Sequence, residues 1–266
     1  MRPGRVKIVA AFAALAILAS APAWSGEPTK RYGTFSDLNG SRIGVITGTP
    51  SEYIVNSSLD YTRISLFDTL SEMMDELKRG GIDCVVDDEP ILRYITTRDP
   101  GVVILDRLRT DSYGLVFAKD NHRLRREFDR ALRSMIADKK IEDMVEVWMR
   151  DEGKSADMPR ERNGKGALRL GIYPEARPFA HIGADGNPAG IDVEIVKDVC
   201  RELGYGLSIT TVPDIDALFD AVRDGKVDVI AACLSITEER QQLFSFSIPY
   251  YHGGTAVMVR AESVEP

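Results

Sequence analysis

Two runs of alternating strand and helix patterns, separated by a polar segment, constrain the fold more than any other feature of this sequence. In the first run, short β-branched segments such as 42–47 (RIGVIT) alternate with segments such as 68–79, whose apolar residues recur at helical spacing. The same alternation restarts at Leu168. Residues 151–166 (DEGKSADMPRERNGKG) are polar and without periodicity, which is typical of a linker. The pattern predicts an α/β protein with parallel strands, crossover helices and two units.

The predicted elements follow from these patterns and from local stop signals. Thr49 is predicted to cap a helix that has Pro50 at its first position, and Gly80-Gly81 is predicted to end the following helix. Strands are predicted at 42–47, 62–67, 82–87, 102–105, 113–118, 168–172, 207–212, 228–232 and 256–260. Helices are predicted at 50–58, 68–79, 89–97, 192–203 and 215–224, with two more between 119 and about 151.

The first twenty-five residues read as an export signal. Basic residues precede an apolar run at 8–19, and small residues follow it at 21–26. The run is shorter than the roughly 20 residues that span a bilayer, so a cleaved signal peptide at 1–25 and a periplasmic location are predicted. A net charge of −7 argues against a nucleic-acid or anionic-membrane surface. Three cysteines (Cys84, Cys200 and Cys233) are too few for a disulfide scaffold and are expected to be buried, although one pair could oxidise after export.

The most specific motif is Ser235-Ile-Thr-Glu-Glu-Arg240, followed by FSFSIPYY at 244–251. With LRLGIYPEARPF at 168–179, GIDVE at 190–194 and DAL at 216–218, it resembles the first lobe of periplasmic amino-acid-binding proteins (family 3) of ABC importers. The first half resembles the second lobe of that family, through segments at 38–45, 48–49, 83–88, 113–116 and 141–148. The resemblance implies the two-lobed type II periplasmic-binding fold, the Venus-flytrap, in which each lobe is a sheet flanked by helices.

The lobes stand in the reverse of the family order, which indicates a circular permutation. The predicted organisation is a second-lobe-like unit at 35–118, helices at 119–150 that pack back on the other lobe, a linker at 151–166 and a first-lobe-like unit at 167–260. Permutation is tolerated where the original chain ends lie close together. The alternative is a fragment of a tandem array, in which each half completes a partner from another copy.

The resemblance also implies a ligand site. Arg240 would clamp an α-carboxylate, for which its planar charged fork is suited, and Asp88 would hold the α-ammonium. Ser235 and Thr49 would donate to the carboxylate from facing lobes, and the backbone at Cys233 would accept from the ammonium. Each residue has a structural alternative: Arg240 could pair with Glu239 at the surface, and Asp88 and Thr49 could be helix caps.

Three positions depart from the family pattern. Pro50 replaces a second Ser or Thr and lacks an amide donor. Ala176 and Ile215 stand where the family commonly has aromatic residues that cover the ligand. Tyr173 and Tyr250 are the candidates to supply a ring instead, and both also read as packing residues. These departures leave open a smaller ligand, or one less like an amino acid.

The predicted function is a monomeric periplasmic receptor that captures a small carboxylate, with an amino acid as the first candidate, and presents it to a membrane ABC permease. It is predicted to be no enzyme and to need no cofactor or metal, since His122, His181 and His252 lack metal-ligand spacing. Asp87-Asp88-Glu89 does not read as a catalytic pair, because adjacent strand residues point to opposite faces. The alternatives are an enzyme on the same fold, similar to cyclohexadienyl dehydratase with Glu175 or Asp88 as acid or base, and a periplasmic accessory or sensor module.

Overall fold

A computed structural model describes residues 31–61, 63–150 and 153–264; the predicted signal peptide lies outside them. The strands are β1 (Arg42–Ile46), β2 (Arg63–Phe67), β3 (Cys84–Asp88), β4 (Val102–Tyr113), β5 (Val116–Ala118), β6 (Ala167–Ile172), β7 (Glu175–Ala176), β8 (Ala180–Ile182), β9 (Pro188–Ala189), β10 (Gly206–Thr211), β11 (Val229–Ala231), β12 (Phe244–Phe246) and β13 (Tyr251–Arg260). The helices are α1 (Ser51–Ser58), α2 (Leu70–Arg79), α3 (Glu89–Thr96), α4 (His122–Ala137), α5 (Lys140–Met149), α6 (Ile191–Leu203), α7 (Ile215–Arg223) and α8 (Glu238–Leu243).

The first sheet has the strand order β2-β1-β3-β13-β4 and carries helices on both faces. β1 runs parallel to β2 and β3, whereas β13 runs antiparallel to β3 and β4. Ile43 and Val45 pack with Val55 of α1 on one face. On the other face, a Cβ added to Gly44 would lie 3.1 Å from the Met73 side chain of α2. We call this sheet and its helices lobe A.

The second sheet has the order β10-β6-β11-β5-β12 and forms the centre of lobe B. β6 is parallel to β10 and β11, and β5 pairs antiparallel with β11 and β12. The helices after residue 118 cover it, as the edge-to-face contact between Phe117 of β5 and Phe128 of α4 shows, with ring centroids 5.2 Å apart. Both sheets are therefore mixed, where the sequence pattern predicted parallel strands.

The chain crosses between the lobes at two adjacent places. β4 of lobe A leads through Gly114 and Leu115 into β5 of lobe B, and β12 of lobe B leads into β13 of lobe A. Backbone hydrogen bonds tie the crossings together: the N–H of Tyr250 donates to the Tyr113 carbonyl at 3.0 Å, and the N–H of Ser247 donates to the Leu115 carbonyl at 2.8 Å. The predicted units, which end at 118 and 260, therefore do not coincide with the two sheets. β5 comes from the first predicted unit but pairs in lobe B, and β13 comes from the second but pairs in lobe A.

The polar segment before β6 has no regular structure from 153 to 166, yet it is docked on lobe B. The buried ammonium of Lys197 in α6 donates to the Ser155 hydroxyl and, at 2.8 Å, to the Ala156 carbonyl. Glu194 of the same helix accepts from the Ser155 hydroxyl at 2.8 Å and from the Ala156 N–H at 3.1 Å. The segment is therefore held in place by a buried ion pair and its hydrogen bonds.

Several elements differ from the sequence prediction. Two predicted strands, 102–105 and 113–118, become one long strand, β4, and a short β5. Pro50, rather than Thr49, occupies the N-cap position of α1. The small sheet β7-β8-β9, the helix α8 and the strand β12 were not predicted. The three cysteines are buried, as predicted, and form no disulfide with one another. No helix among the described residues is long and apolar enough to cross a membrane.

Candidate ligand-binding cleft

Arg240 lies where the two lobes meet. The hydroxyl of Thr237 accepts from the N–H of Arg240 and caps α8, which fixes the start of this short helix. The guanidinium donates through Nη1 to the Ser235 carbonyl at 3.0 Å within lobe B. Through Nη2 it donates to the Gly48 carbonyl of lobe A at 2.9 Å. The alternative given for Arg240, a surface pair with Glu239, is not what holds this side chain.

The surroundings of Arg240 combine an aromatic ring with several carboxyl groups. Its Cζ lies 4.8 Å from the centroid of the Phe219 ring, within cation–π distance. Burial lowers the pKa of Arg240 to about 10, and four carboxyl groups oppose that shift, those of Asp88, Asp216, Asp111 and Glu239. The guanidinium therefore stays charged at neutral pH, and the side chain lies half-buried between the lobes.

Asp88, at the end of β3, faces Ser235 across the cleft. Its Oδ1 accepts from the Tyr113 hydroxyl at 2.9 Å and from the Ser235 hydroxyl at 3.3 Å. Burial raises its pKa well above the usual range, the neighbouring Asp87 raises it further, and Tyr113 and Arg240 oppose the shift. Asp88 is the N-cap residue of α3, but its side chain makes no capping hydrogen bond. The side chain is turned to the cleft rather than to the helix.

Cys233 and Asp192 shape the floor of lobe B next to Ser235. Cys233 adopts a left-handed backbone conformation with φ of 55°. Its N–H donates to Oδ2 of the buried Asp192 at 2.9 Å. Burial raises the pKa of Asp192 to about 6, and that N–H opposes the shift. This bond fixes the turn that leads from β11 to Ser235.

Tyr173 and Ala176 lie on another side of the interface between the lobes. The Tyr173 hydroxyl donates to the Asp68 carbonyl of lobe A at 2.9 Å. Glu175 accepts from the N–H of Ser71 at 3.1 Å, a second link to lobe A. Ala176 is buried in β7 beside Ala180. Tyr173 therefore acts as a contact between the lobes through its hydroxyl.

Thr49 and Ile215 flank the point at which Arg240 reaches lobe A. The Thr49 hydroxyl donates to the Ile46 carbonyl at 2.7 Å, so it closes its own turn. Gly48 has φ of 77°, and a Cβ added there would lie 2.5 Å from Oδ1 of Asp216 and 3.3 Å from Cγ2 of Ile215. Ile215 thus packs against the Gly48 turn from the opposite lobe.

The structure brings Arg240, Ser235 and Asp88 into one cleft, with Cys233 beneath them and Ile215 at the Gly48 turn. Tyr173 and Ala176 line the interface further along, and the Thr49 hydroxyl is engaged within its loop. Tyr113 and Gly48 contact Asp88 and Arg240 in the cleft, Asp87 is buried beside Asp88, and none of the three was predicted as a site residue. A Gly before a predicted helix and two successive acids at a strand end were the available signals. Among the described residues, no group of His, Cys, Asp or Glu is arranged to hold a metal ion.

Comparison with known proteins identifies the second half of the chain. Residues 168–265 match the family of bacterial extracellular solute-binding proteins, family 3. This segment belongs to that family. It carries both Ser235 and Arg240. The match confirms the predicted family for this segment, and the two sheet-based lobes confirm the predicted type II periplasmic-binding fold class; the reversed lobe order predicted with them stays a prediction.

Individual relatives each match more than a third of the chain. The histidine-binding periplasmic protein of Salmonella typhimurium is 31% identical over 96 residues, 36% of this chain and 36% of that protein. The membrane-bound lytic murein transglycosylase F of Vibrio cholerae is 34% identical over 102 residues, 38% of this chain and 19% of that protein. The chain therefore spans about a third of the first relative and about a fifth of the second.

Solved structures give a similar result. The arginine-bound domain 1 of TmArgBP is 31% identical, with 37% of this chain and 82% of that chain covered and a TM-score of 0.32. The Gly52Ala mutant of arginine-bound ArgBP from T. maritima is 12% identical, and the match covers 83% of this chain and 87% of that chain with a TM-score of 0.42. The family assignment rests on the sequence match.

Proposed function

We propose that this chain is a periplasmic solute-binding receptor that closes its two lobes on a small carboxylate, an amino acid, and delivers it to a membrane ABC importer. The observation that carries the proposal is the position of Arg240, whose guanidinium reaches from lobe B to the Gly48 carbonyl of lobe A. A ligand carboxylate at this point would replace neutral carbonyl acceptors with a bidentate charged one. Ser235 and Asp88 lie close enough to complete an amino-acid site.

Closure follows from contacts made by both lobes. The two adjacent crossings at Gly114–Leu115 and 247–251 are the segments about which the lobes would rotate. A ligand that contacts Arg240 on lobe B and Asp88 on lobe A binds the closed form more tightly, and so shifts the population toward it. The histidine-binding and amino-acid-binding names of several relatives support a ligand of this class.

A thermal-shift and calorimetry panel of amino acids and dicarboxylates tests the proposal. Ligand at about 100 times its dissociation constant adds about 2.7 kcal/mol of stability, which raises the melting temperature by several degrees. Arg240→Ala should abolish the shift. The matched control is Arg223→Ala, because Arg223 lies exposed on α7 and pairs with Asp220. If no compound stabilises the protein, or if Arg240→Ala binds as the wild type does, the receptor proposal is wrong.

The circular permutation is part of this proposal. It is supported by the pairing of strands from both segments of one chain, since β13 lies between β3 and β4, and β5 lies between β11 and β12. A site made by one chain predicts a monomer that binds one ligand. Light scattering combined with calorimetry checks this, and a ligand-dependent dimer with shared sites would favour the tandem-array alternative.

A second candidate function is an enzyme on the same fold, and the similarity to a lytic murein transglycosylase is the observation that favours it. Of its candidate groups, Glu175 accepts from the backbone of Ser71, and Asp88 accepts from Tyr113. Turnover of prephenate or arogenate by the wild type, lost in Asp88→Asn, would establish it.

The remaining alternative is a periplasmic accessory or sensor module. A partner protein that co-purifies with this chain from periplasm would indicate that role.

A further inference from the structure

Lobe A also carries a cavity of about 520 Å³ apart from the candidate cleft. Its walls come from the start of α3, the middle of β4 and the start of β13, and its lining includes Glu89, Arg93, Arg107, Arg109 and Tyr251. Of the cleft residues described above, Arg240, Ser235 and Asp88 do not line it. Its volume lies within the range of about 300–1,000 Å³ that is typical of small-molecule sites.

Three arginines line this cavity together with one glutamate. Arg93 belongs to α3, and Arg107 and Arg109 stand two residues apart on β4. Their side chains are between 37% and 68% exposed, so a ligand that enters from solvent can reach each guanidinium. The whole chain has a net charge of −7, so this concentration of positive charge is local. A concave surface lined mainly by one sign of charge attracts ligands of the opposite sign.

The carboxylates at this cavity are too few to give each arginine a partner of its own. Oε1 of the buried Glu89 lies 2.9 Å from Nη2 of Arg107 and 3.9 Å from Nε of Arg93. Asp111 pairs with Arg109. Arg93 donates through Nη2 to the Tyr251 hydroxyl at 3.0 Å, which is a neutral acceptor. Arg93 and Arg107 therefore share one carboxylate oxygen, and no other carboxylate among the described residues lies within ion-pair distance of either.

Two glycines of β13 line the cavity between the elements that carry the arginines. Gly254 pairs with Thr110 of β4, and a Cβ added to it would collide with the Arg109 carbonyl. A Cβ added to Gly253 would lie 3.1 Å from Cδ of Pro90 in α3. Because neither residue has a side chain, the space between α3 and β4 stays open at this point.

We propose that this cavity binds a phosphoryl dianion, either inorganic phosphate or the phosphoryl group of a small phosphate monoester. The planar fork of arginine matches the oxygens of such a group and binds them in pairs. A phosphoryl group offers at least three terminal oxygens, so it can accept from Arg93 and Arg107 together although they approach from different elements. It carries about −1.5 to −2 charges at neutral pH, more than a single carboxylate, and so supplies the negative charge that these two arginines lack.

Calorimetry at pH 7.5 and constant ionic strength tests the site with inorganic phosphate and sn-glycerol 3-phosphate, and with succinate as the comparison anion. We expect at least one phosphate compound to bind at least about tenfold more tightly than succinate, because it combines a dianion and three oxygens on one centre. The compound that binds more tightly distinguishes the free ion from a monoester.

The double variant Arg93→Gln/Arg107→Gln should weaken phosphate binding at least about tenfold, because it removes the charge-assisted hydrogen bonds to the ligand. The matched control is Arg79→Gln/Arg150→Gln, which removes the same number of charges elsewhere. Arg79 and Arg150 are exposed, and each pairs with a glutamate three or four residues away. This control should bind phosphate as the wild type does.

Glu89→Gln should change the affinity in the opposite direction. It removes the carboxylate that Arg93 and Arg107 share, so phosphate should bind at least about threefold more tightly, since a like charge then no longer opposes the ligand. A purely structural role of these arginines would not produce tighter binding. Circular dichroism verifies that each variant is folded.

Arg240→Ala separates this cavity from the cleft and should bind phosphate as the wild type does. If neither phosphate compound binds, or if Arg93→Gln/Arg107→Gln binds as its control does, the inference is wrong. The proposed receptor is then unaffected, because its own panel contains amino acids and dicarboxylates. Loss of phosphate binding in Arg240→Ala would place the anion in the cleft and overturn the inference. Equally tight binding of succinate would overturn the assignment to a phosphoryl group.

Discussion

The guanidinium of Arg240 donates a hydrogen bond to the backbone carbonyl of Gly48 at 2.9 Å, and this bond connects lobe B directly to lobe A. Further contacts join the lobes, among them those of Ser235 with Asp88, of Tyr173 with the Asp68 carbonyl and of Glu175 with the Ser71 N–H. The protein's own side chains therefore hold the lobes together at the site where a ligand would bind. In the proposed receptor, closing the cleft and recognising a ligand would depend on the same residues, and single substitutions can separate the two.

Gly48→Ala should weaken closure. Gly48 has φ of 77°, and an added Cβ would lie 2.5 Å from Oδ1 of Asp216 in the other lobe. The left-handed conformation alone makes alanine unfavourable by about 1 kcal/mol, and the contact with Asp216 adds to this. We expect a lower melting temperature and a larger radius of gyration by small-angle X-ray scattering.

Gly164→Ala is the control for that substitution. Gly164 also has positive φ, at 70°, but no atom lies within 4 Å of its added Cβ. It carries the backbone penalty without the contact between lobes, so its radius of gyration should equal that of wild type. Equal effects of the two variants would show that the approach of Gly48 to Asp216 does not govern closure.

Tyr173→Phe should remove one contact between lobes and leave the aromatic packing intact. The lost bond from its hydroxyl to the Asp68 carbonyl contributes about 0.5–1.5 kcal/mol in a typical case. We expect a small decrease in stability together with weaker ligand binding, since the closed form is favoured less. Tyr205→Phe removes a hydroxyl that donates to Glu127 within lobe B, and should lower stability without changing ligand affinity. A Tyr173→Phe variant with unchanged affinity would contradict the role of this contact in closure.

The stability of the unliganded protein should fall as the pH rises from about 4 to about 7. Burial raises the pKa of Asp87 from 3.8 in the unfolded chain to about 7 in the folded protein. The folded state therefore binds more protons than the unfolded state between these values, and stability is lost as the pH increases through that window. Asp88 and Asp192 shift in the same direction. Melting temperatures between pH 4 and 8 measure the effect.

The groups that face Asp87 allow a clean comparison. Asp88 lies beside it, and the charge of Asp87 also acts on Tyr173 and Cys233, whose pKa values burial raises well above neutrality. Neither titrates in this window, so Asp87→Asn should flatten the decline by removing one of the three carboxyl groups that produce it. A variant whose melting temperature falls as steeply as that of wild type would show that Asp87 contributes nothing.

The sequence predicted the regular parts of the fold well and the cleft only in part. Apolar periodicity located β1 and α2 because Ile43, Val45, Met73 and Leu77 are buried at strand and helix spacing. It missed α8, which has six residues, EERQQL, and no buried face. It also missed most of β4, because residues 106–112 (DRLRTDS), in the second half of that strand, are mostly polar. Family resemblance placed Arg240, Ser235 and Asp88 together. The bonds of Tyr173 and Gly48 across the cleft depend on how the lobes meet, which no local pattern encodes.

Lys197→Met should release the docked segment before β6 and destabilise the protein. Lys197 is 2% exposed and contacts Glu194, Ser155 and Ala156. Its removal leaves the Glu194 carboxylate buried without a cation, and breaking a buried pair in this way costs about 3–5 kcal/mol. Urea unfolding measures the loss, and trypsin should cleave faster at Arg160 and Arg162.

The double variant Lys197→Met/Glu194→Leu should recover much of the stability, because neither charge then stays buried. Lys140→Met on α5 is the exposed control. Equal cleavage rates in all variants would mean that this ion pair does not hold the segment.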